Sequence, residues 1–253
     1  MLPECLLKPN WPGLPEQFGA YTTTRQSGVS FAPYDDGSGA HGFNLATHVG
    51  DQPEAVDANR LRLNSFLPAQ PQWLTQVHGA SVANLDDPTT GLEADAVMST
   101  RVGAVCAVMT ADCLPVLFCD PVNGVVAAAH AGWRGLAAGV LENTVTQMCR
   151  AGARVEQILA WLGPAIGPEQ FEVGAEVRAQ FVASAPADAN AFALCGVEKF
   201  HANIYQLARR RLQACGLVSI EGGEYCTVTQ RRQFYSYRRD GVTGRMASLI
   251  WVK

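Results

Sequence analysis

The sequence predicts an α+β fold: a single compact domain over residues 1–253 with mixed β-sheets flanked by helices. Three observations carry this. Strand-like segments outnumber helical ones, and the two follow each other in no regular alternation. Three of the strand-like segments are nearly continuous apolar runs, as strands buried on both faces require. Hydrophobic residues make up 48% of the chain and charged residues 17%. That supplies a sizeable core and excludes a disordered chain. No stretch reads as an interdomain linker, and no internal repeat is present.

The elements follow in order. Residues 27–44, rich in Gly, Ser and Asp, read as a long loop of the kind that is often functional. Asp51-Gln-Pro-Glu54 opens a helix, with Asp51 at the N-cap, Pro53 in the first turn and Glu54 at the capping-box position. Val56, Leu61, Leu63 and Phe66 supply its apolar positions. Pro71–Val77, Ser81–Leu85 and Ala94–Ser99 have strand character between turn residues. Val102–Met109, Leu114–Cys119 and Val125–Ala129 are the apolar runs, the last two joined by the turn Asp120-Pro-Val-Asn-Gly124. Leu136–Arg150 reads as a helix stopped by Gly152, and Gln157–Leu162 as a strand ended by Gly163-Pro164. Helices are expected over Gly174–Ser184 and Val197–Ala214. In the second, Ile204, Leu207, Ala208, Leu212 and Cys215 form one stripe, and Arg209, Arg210 and Arg211 a solvated end. Strands at Glu224–Thr229, Gln233–Tyr237 and Ala247–Val252 complete the chain.

Charge and cysteine usage narrow the function classes. Lys+Arg is 19 and Asp+Glu is 23, a net charge of −4. A mildly acidic chain is not built around a nucleic-acid surface. The eight cysteines contain no Cys-x-x-Cys pair, which excludes a zinc ribbon or a thioredoxin-type motif. Their density is far below that of a disulfide scaffold. The N-terminal residues lack a basic stretch followed by an apolar run, so no secretory signal is expected. No segment approaches ~18 apolar residues, so no membrane span is expected either. The expectation is a reduced, cytoplasmic protein whose cysteines are mostly buried thiols.

Three short segments carry chemistry: Gln76-Val-His-Gly79, Thr110-Ala-Asp-Cys-Leu-Pro-Val116 and Ala129-His-Ala-Gly-Trp-Arg-Gly135. Each sets a soft or borderline ligand at a predicted strand end beside a turn. A lone His or Cys in such a place is usually packed or hydrogen-bonded, but strand ends of one sheet converge. Two imidazoles and one thiolate, from His78, His130 and Cys113, are donors that zinc prefers, and three protein ligands leave a fourth position open. Gly163-Pro-Ala-Ile-Gly-Pro168 lacks the Lys-Ser/Thr of a P-loop and reads as a rigid turn. Arg231, Arg232, Arg238 and Arg239 read as a solvated or salt-bridged face.

Six segments in order resemble one known family: GFNLATHVGD (42–51), QVHG (76–79), MTADCLPVLFCD (109–120), AAHAGWRG (128–135), WLGPAIGP (161–168) and FYSYRRDGVTGRMASLIW (234–251). They are similar to the YfiH family, also called laccase-domain or polyphenol-oxidase-like. WLGPAIGP, FEVGAEVR and IYQLARRRL point to the enterobacterial members. The resemblance implies a single α+β domain distantly like bacterial toxin cysteine hydrolases. It implies zinc held by His78, Cys113 and His130, with copper the weaker alternative. It implies phosphorolysis of adenosine, inosine, guanosine and methylthioadenosine, with adenosine deamination as a side activity, so that the partners are a purine nucleoside and phosphate.

Further roles follow from the resemblance and from adjacency. Arg134, close after His130, is expected near the metal, and Arg60 on the first helix resembles a position facing the site; a guanidinium holds phosphate in bidentate fashion. Asn44 resembles a ribose- or base-binding position, its alternative being a turn-closing amide. Asp112, beside Cys113, is the candidate acid/base or His-orienting carboxylate. His48 is expected behind the ligands. Phe43 and Trp133 are expected in the core, with purine stacking as the alternative. Three other functions compete. One is a peptidoglycan-editing amidase on a UDP-muramyl precursor, a role attached to close enterobacterial relatives. A copper oxidase of phenols ranks low, because the five histidines contain no His-x-His pair. A non-enzymatic fold with structural zinc would need a fourth protein ligand.

Overall fold

The computed structural model describes residues 3–253. Its centre is a six-stranded sheet of β3 (Val82–Asn84), β4 (Ala96–Ser99), β6 (Leu114–Asp120), β7 (Val125–Ala131), β8 (Leu159–Leu162) and β12 (Ser219–Gly222), in the order β12-β8-β6-β7-β4-β3. The β12–β8 and β3–β4 pairs are parallel and the others antiparallel. Every residue of β4, β6 and β7 is buried, which is why these segments read as unbroken apolar runs.

Alternate residues of this sheet serve two cores. Leu114, Val116 and Phe118 face helices α3 (Val140–Arg150) and α5 (Ile204–Ala214), meeting Leu141, Val145, Met148, Leu207 and Leu212. Leu117, Cys119, Val126 and Ala128 face a second sheet, meeting Cys106, Val108 and Ile250. That sheet contains β1 (Leu6–Leu7), β2 (Phe18–Thr23), β5 (Cys106–Thr110) and β13 (Met246–Val252), in the order β1-β2-β13-β5. Its outer face, with Met109, Leu249 and Trp251, is covered by Leu63 of α1 (Pro53–Asn64) and by Phe43 and Leu45. A three-stranded sheet of β9 (Glu172–Gly174), β10 (Phe192–Gly196) and β11 (Lys199–Ala202) packs beside α4 (Ala175–Ser184). Period-2 alternation between two apolar cores is the physical basis of this layered α+β domain. Among the described residues no helix is long and apolar enough to cross a membrane.

Several elements differ from the sequence reading. The first helix starts at Pro53 with Gln52 as N-cap. Asp51 instead accepts Asn44 Nδ2–H at 2.9 Å, tying the preceding loop down. Leu61 is exposed, and Asn59 takes a buried place on the helix with Val56 and Leu63. The expected helix from residue 136 is two, α2 (Trp133–Ala137) and α3, because Gly139 adopts a φ of 91° that stops one and starts the next. Residues 199–202 of the expected long helix form β11, and α5 begins only after Asn203, whose side chain caps Gln206 N–H at 3.0 Å.

Pro71–Val77 makes one bridge, Thr75 to Glu93, rather than a strand. Glu224–Thr229 and Gln233–Tyr237 are irregular, and the latter runs into the single turn α6 (Tyr237–Asp240). The Arg209–Arg211 end is not solvated. Arg209 donates to the carbonyls of Ile220 and Gly222, and Arg210 and Arg211 pair with the buried Asp188. Of the thiols other than Cys113, only Cys5, Cys106 and Cys119 are buried; Cys149 and Cys195 are exposed.

Candidate metal centre

The β5–β6 connection, Ala111-Asp112-Cys113, crosses from the four-stranded to the six-stranded sheet in three residues. Asp112 makes the crossing at φ 94°, a conformation that non-glycine residues avoid. Its carboxylate holds the bend. Oδ1 accepts from Thr227 Oγ1 and Oδ2 from the Arg238 backbone N–H, both at 2.6 Å. The Asp112 carbonyl accepts Ile166 N–H at 2.9 Å, so the Gly163–Pro168 turn braces the same bend. Cys113 leaves the crossing at the open end of the β6–β7 hairpin, where His130 pairs with Pro115.

His78 arrives on a turn rather than a strand end, and it too has positive φ, 60°. Gln76 docks this turn on β5. Met109 N–H donates to Gln76 Oε1, and Gln76 Nε2 donates to the Met109 carbonyl, both at 2.8 Å. Behind the turn sits Asp95, fully buried at the start of β4. Its Oδ1 lies 2.8 Å from His130 Nδ1 and accepts His78 N–H at 2.9 Å. Its Oδ2 accepts from the N–H groups of Gly79 at 2.6 Å and Val77 at 3.2 Å.

The three predicted donors therefore meet. One ligand atom from each of His78, Cys113 and His130 lies within 4.8 Å of the others. Cys113 Sγ is 3.9 Å from His78 Nε2, and the two imidazoles meet edge to face with centroids 4.8 Å apart. Donors sharing one tetrahedral ion stand about 3.5 Å apart, close to this spacing. Gly132 keeps the space beside them clear. A Cβ there would stand 3.0 Å from both Cys113 Sγ and His78 Cδ2, and 3.6 Å from His130 Nε2.

Electrostatics set this thiol apart. Burial pushes Cys113 up, but His130 and His78 more than reverse that and bring it to about 6. Cys106 and Cys119 lack such partners, and burial pushes both up, Cys119 to about 12. Burial alone would lower His130; the Cys113 and Asp95 charges raise it to about 9. Asp95 is pushed up by burial, yet His130 and the turn N–H groups leave it below the usual carboxylate range. A thiolate between two imidazoles, with a carboxylate behind one of them, is a donor set that fits a borderline cation. Imidazole and thiolate suit zinc and copper alike. Among the described residues no fourth His, Cys, Asp or Glu joins the cluster.

The donors line a cavity of about 820 Å³ together with His48, Arg60, Trp73, Met109, Tyr237 and Arg245. Among the described residues no carboxylate lines it, although the chain carries more acidic than basic residues. Arg60 donates Nε–H to the Leu45 carbonyl at 2.9 Å and lies over Trp73, 4.7 Å from the ring centroid. Arg245 is anchored by Nη1 donating to the Thr243 and Gly244 carbonyls at 2.9 and 3.1 Å. Burial, Arg245 and Arg60 all push His48 below the usual histidine range.

The remaining expectations divide. Arg60 and His48 face the cavity. Asn44 does not: it is fully buried and closes a turn. Its Oδ1 accepts from Ala46 N–H and Arg245 N–H, and its Nδ2 donates to Asp51 and the Ala46 carbonyl. Arg134 is exposed, lies over Trp133 at 4.5 Å, and is not among the cavity residues. Asp112 spends both oxygens on Thr227 and Arg238, and the carboxylate that orients His130 is Asp95. Phe43 and Trp133 pack in or against the cores. Sequence reasoning missed Asp95, Arg245 and Tyr237. Asp95 had a signal, as the one charge inside the run Ala94–Ser99. Arg245 lies within the last of the six motifs, but no spacing pointed it at the cavity.

The layered α+β domain opens a three-donor cluster that could hold one metal ion into a cavity lined by two arginines. The chain belongs to the family described as multi-copper polyphenol oxidoreductase laccase, whose model matches residues 19–253. It is 53% identical over 250 residues to the purine nucleoside phosphorylase YfiH of Escherichia coli (strain K12), covering 98% of each chain. A purine nucleoside phosphorylase of Pseudomonas aeruginosa is 50% identical over 248 residues, again with 98% of each covered. A crystal structure of a Neisseria meningitidis protein superposes with a TM-score of 0.90 at 46% identity, over 98% of this chain and 99% of that one. A Bacillus licheniformis hypothetical protein YfiH gives 0.86 at 30% identity, over 94% and 93%. The resemblance drawn from six motifs is thus a full-length relationship.

Proposed function

We propose that the protein is a zinc-dependent purine nucleoside phosphorylase acting on adenosine, inosine, guanosine and methylthioadenosine, with adenosine deamination as a side activity. The names of its relatives support the phosphorylase part. The carrying observation is the cavity wall: two guanidiniums and no carboxylate beside a thiolate-imidazole cluster. Deamination alone asks for no anion site; phosphorolysis does.

In phosphorolysis a phosphate oxygen bonds to the anomeric carbon as the carbon–nitrogen bond breaks, and the purine leaves with the electron pair and takes up a proton. Arg60 and Arg245 are each fixed by backbone carbonyls, so their remaining N–H groups bind and orient an anion without first being ordered. Trp73, Leu74 and Met109 supply an apolar wall for the base and exclude water. His48 and Tyr237 are the titratable groups of the cavity besides the donors and the two arginines, and we assign the purine proton to one of them. His78, Cys113 and His130 would hold the metal, which when bound supplies a Lewis acid with an open position. Asp112 is assigned to holding the β5–β6 crossing, and Asn44 to holding the loop under Arg245.

The test is a nucleoside panel with and without phosphate, run beside a UDP-muramyl-dipeptide panel on zinc-loaded protein. Phosphate-dependent release of free purine is expected. Amide hydrolysis of the muramyl substrate with inert nucleosides would replace this reading by the editing amidase.

A further inference from the structure

We infer that Asp95 is the positioning residue of the donor cluster, setting the geometry of both histidines at once. This rests on the metal-site reading above. The side chain has no solvent exposure and is hydrogen-bonded to His130 Nδ1 and to the N–H groups of Val77, His78 and Gly79. Its backbone carbonyl also accepts His130 N–H at 2.7 Å. One residue thus grips the His130 ring, the His130 backbone and the turn that carries His78.

Two consequences follow from acceptor chemistry. An ionised carboxylate has only acceptors to offer, so His130 must present Nδ1–H to Oδ1. That leaves Nε2 as the ring atom facing the donor space, on the side that Gly132 keeps clear. The same carboxylate offsets the cost of the positive φ at His78, because successive N–H groups of residues 77–79 converge on it as on a bound anion. Positive φ at a non-glycine residue persists only where its surroundings fix it. The Ser81 carbonyl, which accepts Asp95 N–H at 3.1 Å, closes the connection between the turn and β4.

Asparagine at this position separates the two tasks. With its oxygen toward His130, its NH₂ faces the donors of Gly79 and Val77, and the turn is released. With its oxygen toward the turn, its NH₂ faces Nδ1 and drives the ring to the tautomer whose Nε2 carries the proton. Neither orientation keeps the whole set: the first leaves the Gly79 and Val77 N–H groups without an acceptor, and the second sets an NH₂ against both His130 Nδ1 and the His78 N–H.

The measurements begin on wild-type, metal-free protein, so they do not depend on any variant folding. Nitrogen-resolved spectra of histidine-labelled protein should show a downfield, slowly exchanging His130 Nδ1–H. The amides of His78 and Gly79 should be protected from hydrogen exchange. A rapidly exchanging Nδ1–H with unprotected turn amides overturns the inference. In Asp95→Asn, either the protection of the Gly79 amide or the His130 Nδ1–H should be lost, and zinc affinity, by chelator competition, should fall about 10–100-fold. Zinc affinity within about twofold of wild type also overturns it. Asp120→Asn is the control for a buried aspartate lost far from the cluster; Asp120 likewise accepts several backbone N–H groups. It should lower the melting temperature and leave zinc affinity unchanged. The metal reading fails separately, if wild type and Cys113→Ala bind zinc equally, and the metal-free signatures still judge Asp95.

Discussion

The two sides of the cavity are built in different ways. The donor side comes from one hairpin and two short turns within residues 76–130, and its geometry is fixed by hydrogen bonds to the buried Asp95 and Asp112 and to the partly buried Gln76. The opposite side draws Arg60 from the first helix and Tyr237 and Arg245 from the last fifty residues, held by carbonyls and ring faces. The first comes from one stretch of chain, although Thr227 and Arg238 brace its Asp112 bend; the second is assembled from segments far apart in sequence. Under the proposed function the metal would sit in the hydrogen-bonded corner, and the substrate would meet a wall made of segments that join only in the finished fold.

Substitutions on the two sides should therefore fail differently. The largest effect is expected on the donor side. Cys113→Ala and His78→Ala should reduce copurified zinc from about one per chain to background and abolish purine release, checked by elemental analysis and product chromatography; full zinc retention in Cys113→Ala would dissolve the contrast. Next, Arg245→Ala should keep its zinc and raise KM for phosphate about 10–100-fold, the worth of one charged hydrogen bond of about 1.5–3 kcal/mol. Equal loss of zinc and phosphate use would put Arg245 in the donor framework instead.

A smaller effect, on stability rather than turnover, is expected from Asn44→Ala. It strands the N–H groups of Ala46 and Arg245 inside the protein, costing about 1–3 kcal/mol in denaturant unfolding. A change in base selectivity with no loss of stability would restore Asn44 to the substrate. The smallest is Arg134→Ala. With its guanidinium exposed over Trp133, kcat/KM should stay within about twofold, and a tenfold loss would extend the cationic wall beyond the cavity residues.

This contrast also explains what the sequence revealed. His78, Cys113 and His130 were legible as a set: each alone would pass for packing, but two imidazoles and a thiolate beside turns, inside motifs that resemble one family, form a donor set. The runs Val102–Met109, Leu114–Cys119 and Val125–Ala129 were legible because burial on both faces leaves a nearly unbroken apolar signal, although the first strand starts only at Cys106 and Val102 is exposed. Arg134 was misplaced because adjacency to a ligand says nothing of direction: α2 starts at Trp133 and carries the next residue outward. Asn44 was misplaced because an amide that closes a turn and one that binds a ribose have the same sequence. β10 was hidden because its residues after Phe192 are exposed and show no alternation, and β11 because the helical stripe of α5 extended the reading over residues 199–202. Arg245 was silent because its anchors are its own neighbours, Thr243 and Gly244, and the residues it shares the cavity with lie far upstream.

The placement of β13 has a consequence for how the protein is made. Residues 246–252 form an inner strand, paired on one side with β2 and on the other with β5, and Thr22 reaches Ser248 across 226 positions. Until those residues emerge during synthesis, β2 and β5 each present an open edge, and Arg245, one position upstream, has no wall to join. Pairing across such a sequence separation is slow to form, and open strand edges in a nascent chain invite edge-to-edge association. The donor segments leave the ribosome first, yet the bend that carries Cys113 is not held until Thr227 and Arg238 follow.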